Sequence, residues 1–303
     1  MTKKKARALI RRILDFVLWR TPLLQELVLQ AARRGLVPSW VWRRLHPRGV
    51  WNLHAPDGTC FAYDSVYEHD GLARNIVWTD MRDWETGTQP VLFGLAGKAR
   101  VFVDVGAYSG VYTVLACMAN PQLKVVAFEP NPVKLPQLRA NVAANGLEDR
   151  VTLIGKALGD RTGKAVLTIP VDDSAASLKD TGTGVRAIDV EVTTGDLVLD
   201  GLPVDLVKVD VEGLEPEVLT GMSRILASRQ PEIIAECLSP QALQRLCHCA
   251  SGFGYQHAYR IDHDNLVPVG RCSFRSANYL LSVTPMPARE EEPAVPGAPS
   301  PFR

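Results

Sequence analysis

The chain has 303 residues, 46% of them hydrophobic and 22% charged, a globular composition with room for one large α/β domain plus an appendage or for two small domains. Its formal net charge of +1 gives no overall electrostatic case for nucleic acid or another polyanion, so any such case rests on local clusters. The six cysteines (Cys60, Cys117, Cys237, Cys247, Cys249, Cys272) form no CxxC pair. They read as reduced, mostly buried thiols, and Cys247-His248-Cys249 lacks the second ligand pair that zinc asks for.

The N-terminus, MTKKKARALIRRILDFVLWR, starts as a secretory signal does, but Arg11, Arg12 and Asp15 interrupt its apolar core and no small-residue cleavage site follows. No run of some 18 uncharged apolar residues is present, so the expected location is the cytoplasm. Helical spacing of Leu9, Ile10, Ile13, Leu14, Val17 and Leu18, then of Leu24, Leu27 and Val28, predicts two helices separated at Pro22. Lys3, Lys4, Lys5, Arg7, Arg11, Arg12 and Arg20 make the first amphipathic and basic. Such a segment, here residues 1–50, either makes a peripheral contact with an anionic bilayer or packs on the main domain with its basic face solvated.

Residues 51–284 form the expected main domain, with its core from about residue 84. Strand signals at Trp51–Leu53 and Cys60–Tyr63 precede a helical stretch holding Trp84 and Glu85. His69, in the polar segment SVYEHDGLARN, is either a loop group reaching over a site or a surface residue. From Val101 apolar runs alternate with helical segments: VFVDV, VVAFEP, VTLIG, VDLVKVD and EIIAEC, with helices after the first, second, fourth and fifth ending near Met118, Asn145, Ala227 and Ser251. That alternation predicts an α/β fold with a Rossmann-like, mostly parallel sheet covered on both faces. Strands at Gly163–Pro170 and Ala187–Val192 flank a polar insertion, and YQHAYRI, LVPVG and ANYLLSV predict an antiparallel end to the sheet. The tail 285–303, rich in Pro and Glu, reads as disordered.

The stretch VFVDVGAYSG at 101–110 is a strand that runs into a glycine-bracketed turn. A dinucleotide site needs G-x-G-x-x-G, and here Asp104 stands near the first glycine, where a carboxylate would repel a pyrophosphate. A triphosphate loop is excluded because no Lys-Ser or Lys-Thr follows Gly110. An acid there favours a ligand with a positive group and no phosphate, and S-adenosylmethionine, with its ammonium and sulfonium, meets that description. Gly106 and Gly110 permit close backbone approach. The next strand ends in Glu129, 23 residues beyond Gly106, where a carboxylate can accept both hydroxyls of an unphosphorylated ribose.

A third piece is VDLVKVDVEG at 204–213, which leaves Asp210 and Glu212 at the carboxyl end of its strand, where open α/β sheets bind ligands. Alternation puts 208, 210 and 212 on one face if the strand runs that far. Lys208, inside an apolar strand, needs Asp210 or Glu212 as a partner to offset desolvation.

With these three pieces together, the chain resembles the FkbM family of S-adenosylmethionine-dependent methyltransferases over roughly residues 84–283. The carriers are FVDVGAYSGVYT, AFEPNP, ALGDRTG at 157–163, SAASL at 174–178 and, most specifically, VKVDVEGLEPEVLTGM at 207–222. The resemblance implies a seven-stranded class I fold with an antiparallel last strand, and methyl transfer to a hydroxyl of a sugar or secondary metabolite. It implies that Asp104, Gly106, Ala107, Tyr108 and Gly110 cradle the methionine part and Glu129 the ribose, with Glu85 as a further cofactor contact. Asp210 is the implied general base and Glu212 the second choice; no metal is implied. Family members often carry Asn where this chain has Tyr108. Other readings are methylation of nitrogen or a carboxylate, a cofactor-binding scaffold without catalysis, and an NAD-dependent oxidoreductase. The acceptor reads as a small molecule, sugar or glycolipid. No stacking pattern marks a nucleic-acid partner.

Overall fold

A computed structural model describes residues 21–38, 45–67, 70–169, 186–263, 265–270 and 272–287. The segment 1–20, His69, the SAASL motif and the tail from 288 lie outside the described residues. The chain divides between Thr86 and Gly87 into two units.

The first unit holds α1 (Pro22–Arg33), the antiparallel hairpin β1 (Val50–His54) and β2 (Cys60–Asp64), and the short helix α2 (Ala73–Ile76). Pro22 takes the first helical position, where its missing N–H costs nothing. Leu29, Leu53, Phe61, Tyr63, Trp78 and Met81 are buried. The Trp78 indole N–H donates to the Leu45 carbonyl at 2.9 Å. Glu85 lies here in a bend with left-handed backbone (φ 39°), not in the helix the sequence predicts, and the helix starts only at Thr88. A left-handed residue cannot continue a right-handed helix.

The second unit runs in the order α3 (Thr88–Ala96), β3 (Val101–Val105), α4 (Val111–Ala119), β4 (Lys124–Phe128), α5 (Leu135–Ala144), β5 (Val151–Ile154), β6 (Ala157–Leu158), β7 (Gly163–Ile169), β8 (Arg186–Thr193), α6 (Gly195–Val198), β9 (Val204–Val209), α7 (Glu215–Thr220), α8 (Ser223–Arg229), β10 (Glu232–Cys237), α9 (Pro240–Ser251), β11 (His257–Asp262), β12 (Asn265–Pro268) and β13 (Ala277–Ser282). Its main sheet has the order β12-β11-β13-β10-β9-β3-β4-β5. The block β10-β9-β3-β4-β5 is parallel, and β13 runs antiparallel between β10 and β11. This is the expected Rossmann-like, mostly parallel sheet with its last strand reversed. Strand β12 adds an eighth, edge position through a tight hairpin from β11.

Strand order reverses direction between β3 and β9. From β3 the chain steps outward through β4 and β5, and from β9 it steps the other way through β10. Right-handed crossovers therefore put α4 and α5 on one face and α7, α8 and α9 on the other. The central strands are buried almost end to end, as a sheet covered on both faces requires. The seam opens a crevice at its carboxyl end.

A second sheet, β6-β8-β7, carries the insertion. The sequence predicts one helix after β9, and the structure has two, α7 and α8, parted at Gly221-Met222. Asp196 causes the new start: its carboxylate accepts the N–H groups of Arg224 (2.9 Å) and Ile225 (3.1 Å). Gly221 lies so close to the Gly159 carbonyl that a Cβ would collide with it, and its own carbonyl accepts the Asp196 N–H at 2.9 Å. The Gly159 N–H in turn donates to Thr193 at 3.0 Å, which ties the small sheet to the α7–α8 junction. Overpacking of this kind costs about 1–3 kcal/mol. We expect Gly221→Ala to lower Tm by several degrees in a thermal melt, and an unchanged Tm would show that the junction yields.

Candidate functional site

The site is built at the carboxyl ends of β3, β4, β9 and β10. Strand β3 ends in Gly106, whose φ of +81° turns the chain. A Cβ at Gly106 would collide with the Asp210 carbonyl, so the glycine lets the two strand ends close on each other. The Asp210 N–H also donates to the Val105 carbonyl at 2.9 Å. Gly106 and Ala107 both donate their N–H groups to the Phe128 carbonyl at 3.0 Å. Gly110, also left-handed (φ +84°), starts α4, and any Cβ on it would strike Leu138 of α5.

Tyr108 adopts a left-handed φ of 53°. Asn tolerates that region better than a bulky residue, which explains why Asn suits this position. Two partners hold the tyrosine: its N–H donates to Glu129 Oε2 at 2.7 Å, and the buried Lys134 ammonium lies 4.4 Å from its ring centroid.

Glu129 is buried, and its other oxygen, Oε1, accepts the Asn131 N–H at 2.8 Å. Burial pushes its carboxyl up to about 7, against the pull of the two N–H donors and Lys134. Each carboxylate oxygen still has a lone pair for a ligand hydroxyl. Beside it the buried Asn131 amide Nδ2 has no hydrogen-bond partner, an unspent donor in the same loop.

Asp104 is buried behind the turn, where its carboxylate accepts the Thr113 hydroxyl of α4 at 2.7 Å. Across the seam its register partner is Lys208. Burial raises the Asp104 carboxyl, and the Lys208 charge opposes the rise. Lys208 is 2% exposed among apolar strand residues. Its Nζ bonds to Asp210 Oδ2 at 2.7 Å and lies 4.8 Å from the Tyr112 ring centroid. Of the two acids open to it in sequence, the partner is Asp210, whose side chain is partly exposed at the crevice.

Strand β9 stops at Val209, so Glu212 is not its last inward residue; it sits in a left-handed pair with Gly213 (φ 56° and 99°). Even so, the carboxylate oxygens of Asp210, Glu212 and Glu236 lie within 4.8 Å of one another. Burial and then the charge of Asp210 raise the Glu212 carboxyl. Glu215, buried behind them, accepts the Gly213 N–H at 2.7 Å. Partly exposed acids group this way without an ion, and no metal is assigned to them. Glu85 belongs to the first unit and Glu236 escaped the sequence reading. The signal for Glu236 was available, since EIIAEC is a parallel strand next to VDLVKVD and carries an acid, one residue before its end, at the level of Asp210.

The stretch of chain that carries these acids matches a known domain model. The model for the methyltransferase FkbM domain covers residues 104–256, which spans the turn, Glu129, the seam and the β10 acid. The chain belongs to the FkbM methyltransferase family. It is 27% identical over 222 residues to the 31-O-demethyl-FK506 methyltransferase FkbM of Streptomyces tacrolimicus, across 62% of this chain and 81% of that one. It is 31% identical over 150 residues to the hexuronic acid methyltransferase AglP of Haloferax volcanii, across 47% of this chain and 59% of that one. A solved FkbM methyltransferase structure from Methylobacillus flagellatus KT overlaps with a TM-score of 0.47 at 18% identity, covering 69% of this chain and 52% of that one. As an FkbM methyltransferase the protein uses S-adenosylmethionine as its methyl donor.

The Glu129 carboxyl gives a stability test that needs no ligand. Its folded value of about 7 lies above the ordinary 4.5, so its stabilising contribution is full below pH 4.5 and is lost as pH rises through 7. The span corresponds to something on the order of 3 kcal/mol. Chemical denaturation between pH 5 and 8 should show Glu129→Gln losing less stability with rising pH than the wild type; parallel curves would contradict the assignment.

Proposed function

We propose that the protein transfers the methyl group of S-adenosylmethionine to a hydroxyl oxygen of a sugar or a secondary metabolite. The observation that carries this reading is the Asp210 carboxylate, held by a buried Lys208 at the switch point beside the Gly106 turn. The name of one relative, which gives position 31-O of FK506, supports an oxygen acceptor, and that of another, a hexuronic acid methyltransferase, supports an acceptor of sugar type.

The donor set suits the cofactor. Glu129 offers two oxygens to vicinal ribose hydroxyls, and Asn131 adds a buried amide donor. Gly106, Ala107 and Gly110 keep the turn free of side-chain bulk, Tyr108 caps it, and Asp104 holds the turn's two ends together from below through Thr113 and Lys208. Once bound, the cofactor supplies an electrophilic methyl carbon. Asp210 would orient an acceptor hydroxyl toward that carbon and take its proton. Asp210 Oδ2 is tied to Lys208, which fixes the carboxylate so that its partly exposed edge faces the acceptor. Glu212 and Glu236 stand beside it and attract the positive charge that leaves with the proton.

Two measurements test this reading. Asp210→Asn should retain cofactor binding and lose about 10²–10⁴-fold in turnover on a panel of glycosides, uronic acids and macrolide alcohols with labelled methyl donor. Lys208→Met should lose at least about tenfold on the same panel, the usual worth of a charged hydrogen bond. Full activity of Asp210→Asn would remove the base from Asp210, and methyl label on nitrogen or carboxylate would remove the hydroxyl acceptor. Cofactor binding with no transfer to any acceptor would favour a scaffold. Because ionised Glu129 is the ribose acceptor, cofactor affinity should fall about tenfold per pH unit below 7, with proton release in titration calorimetry. Glu129→Gln should bind weakly and without that pH dependence.

A further inference from the structure

The net charge of +1 conceals a sharp division of sign. Residues 1–48 contain twelve Lys and Arg against two acids, Asp15 and Glu26, whereas residues 49–303 contain 22 against 31. The basic stretch is also rich in apolar residues, among them Trp19, Trp40 and Trp42. Within it α1 is described. Its buried face is Gln25, Leu29 and Ala32, and its opposite face carries Leu23 (80% exposed) and Leu27 (67% exposed) one turn apart, with Leu36 (73% exposed) just past its end. Large leucines side by side on a solvent face are costly to leave in water, and they mark a contact surface.

From this combination we infer that residues 1–48 dock the protein on a lipid bilayer with anionic headgroups. Basic side chains meet the headgroups, and Leu23 and Leu27 of α1 enter the boundary between headgroups and acyl chains. Each half of the observation excludes a simpler occupant. A nucleic acid would satisfy the cations and leave the leucines in water, and a neutral apolar partner would satisfy the leucines and leave the cations unused. Among the described residues no helix is long and apolar enough to cross a membrane. The inference is independent of the acceptor and of the role given to Asp210.

The test uses the full chain with extruded vesicles of phosphatidylcholine alone or with about 30% phosphatidylglycerol, read by flotation. We expect at least about tenfold stronger binding to the anionic vesicles, and a loss of at least about fivefold between 50 and 500 mM salt. Leu23→Gln combined with Leu27→Gln should weaken binding about tenfold or more at low salt, with Tm and cofactor affinity unchanged. Lys3→Ser, Lys4→Ser and Lys5→Ser together should weaken it by a similar factor and flatten the salt dependence. Absence of binding to anionic vesicles overturns the inference. Equal binding of the leucine variant and the wild type overturns it too, as does tighter binding to a DNA duplex than to the vesicles.

Discussion

Everything at the centre of this protein depends on one ammonium group kept out of water. Lys208 is buried inside a parallel sheet, and an unpartnered cation there would cost several kcal/mol. Asp210, just past the end of its own strand, and Asp104 on the neighbouring strand meet that demand. The second of these lies at the seam between β3 and β9, where the sheet switches direction. A requirement of folding, that a buried charge be neutralised, thus sets an acid at the mouth of the crevice with one oxygen already committed.

The strands of the parallel block, the reversed end of the sheet and the acids at positions 104, 129 and 210 were legible in sequence. Near-continuous apolar runs ending in an acid can be read without knowing any neighbour. What was not legible depends on contacts between distant segments. Pattern alone leaves open whether Lys208 takes Asp210 or Glu212, because that choice depends on where β9 ends, and it ends at Val209, short of both acids. The break between α7 and α8 needs Asp196, which lies 28 residues before Arg224 and reaches it only in the folded chain. Asp104 looked like a ligand-facing residue of the turn, whereas Thr113 holds its carboxylate inside the wall. Glu85 fell outside its predicted helix because a backbone torsion, invisible in composition, intervenes.

Charge is distributed along the chain with more purpose than its sum indicates. Acids dominate at the end of β9, where Asp210, Glu212, Glu215 and Glu236 cluster. A field of that sign favours a cationic methyl donor over the neutral thioether left after transfer. Burial raises the carboxyls of Glu129, Glu212 and Glu215, and the charge of Asp210 adds to the rise at the last two.

Tyr108 and Lys134 illustrate how such a site can drift without failing. A tyrosine in left-handed backbone carries a torsional penalty that an asparagine largely avoids. Here the ring lies under the buried Lys134 ammonium, whose charge also reaches Glu129, the acceptor of the Tyr108 N–H. The backbone, the ring and the carboxylate therefore share one cation, and a change at position 134 is felt at all three.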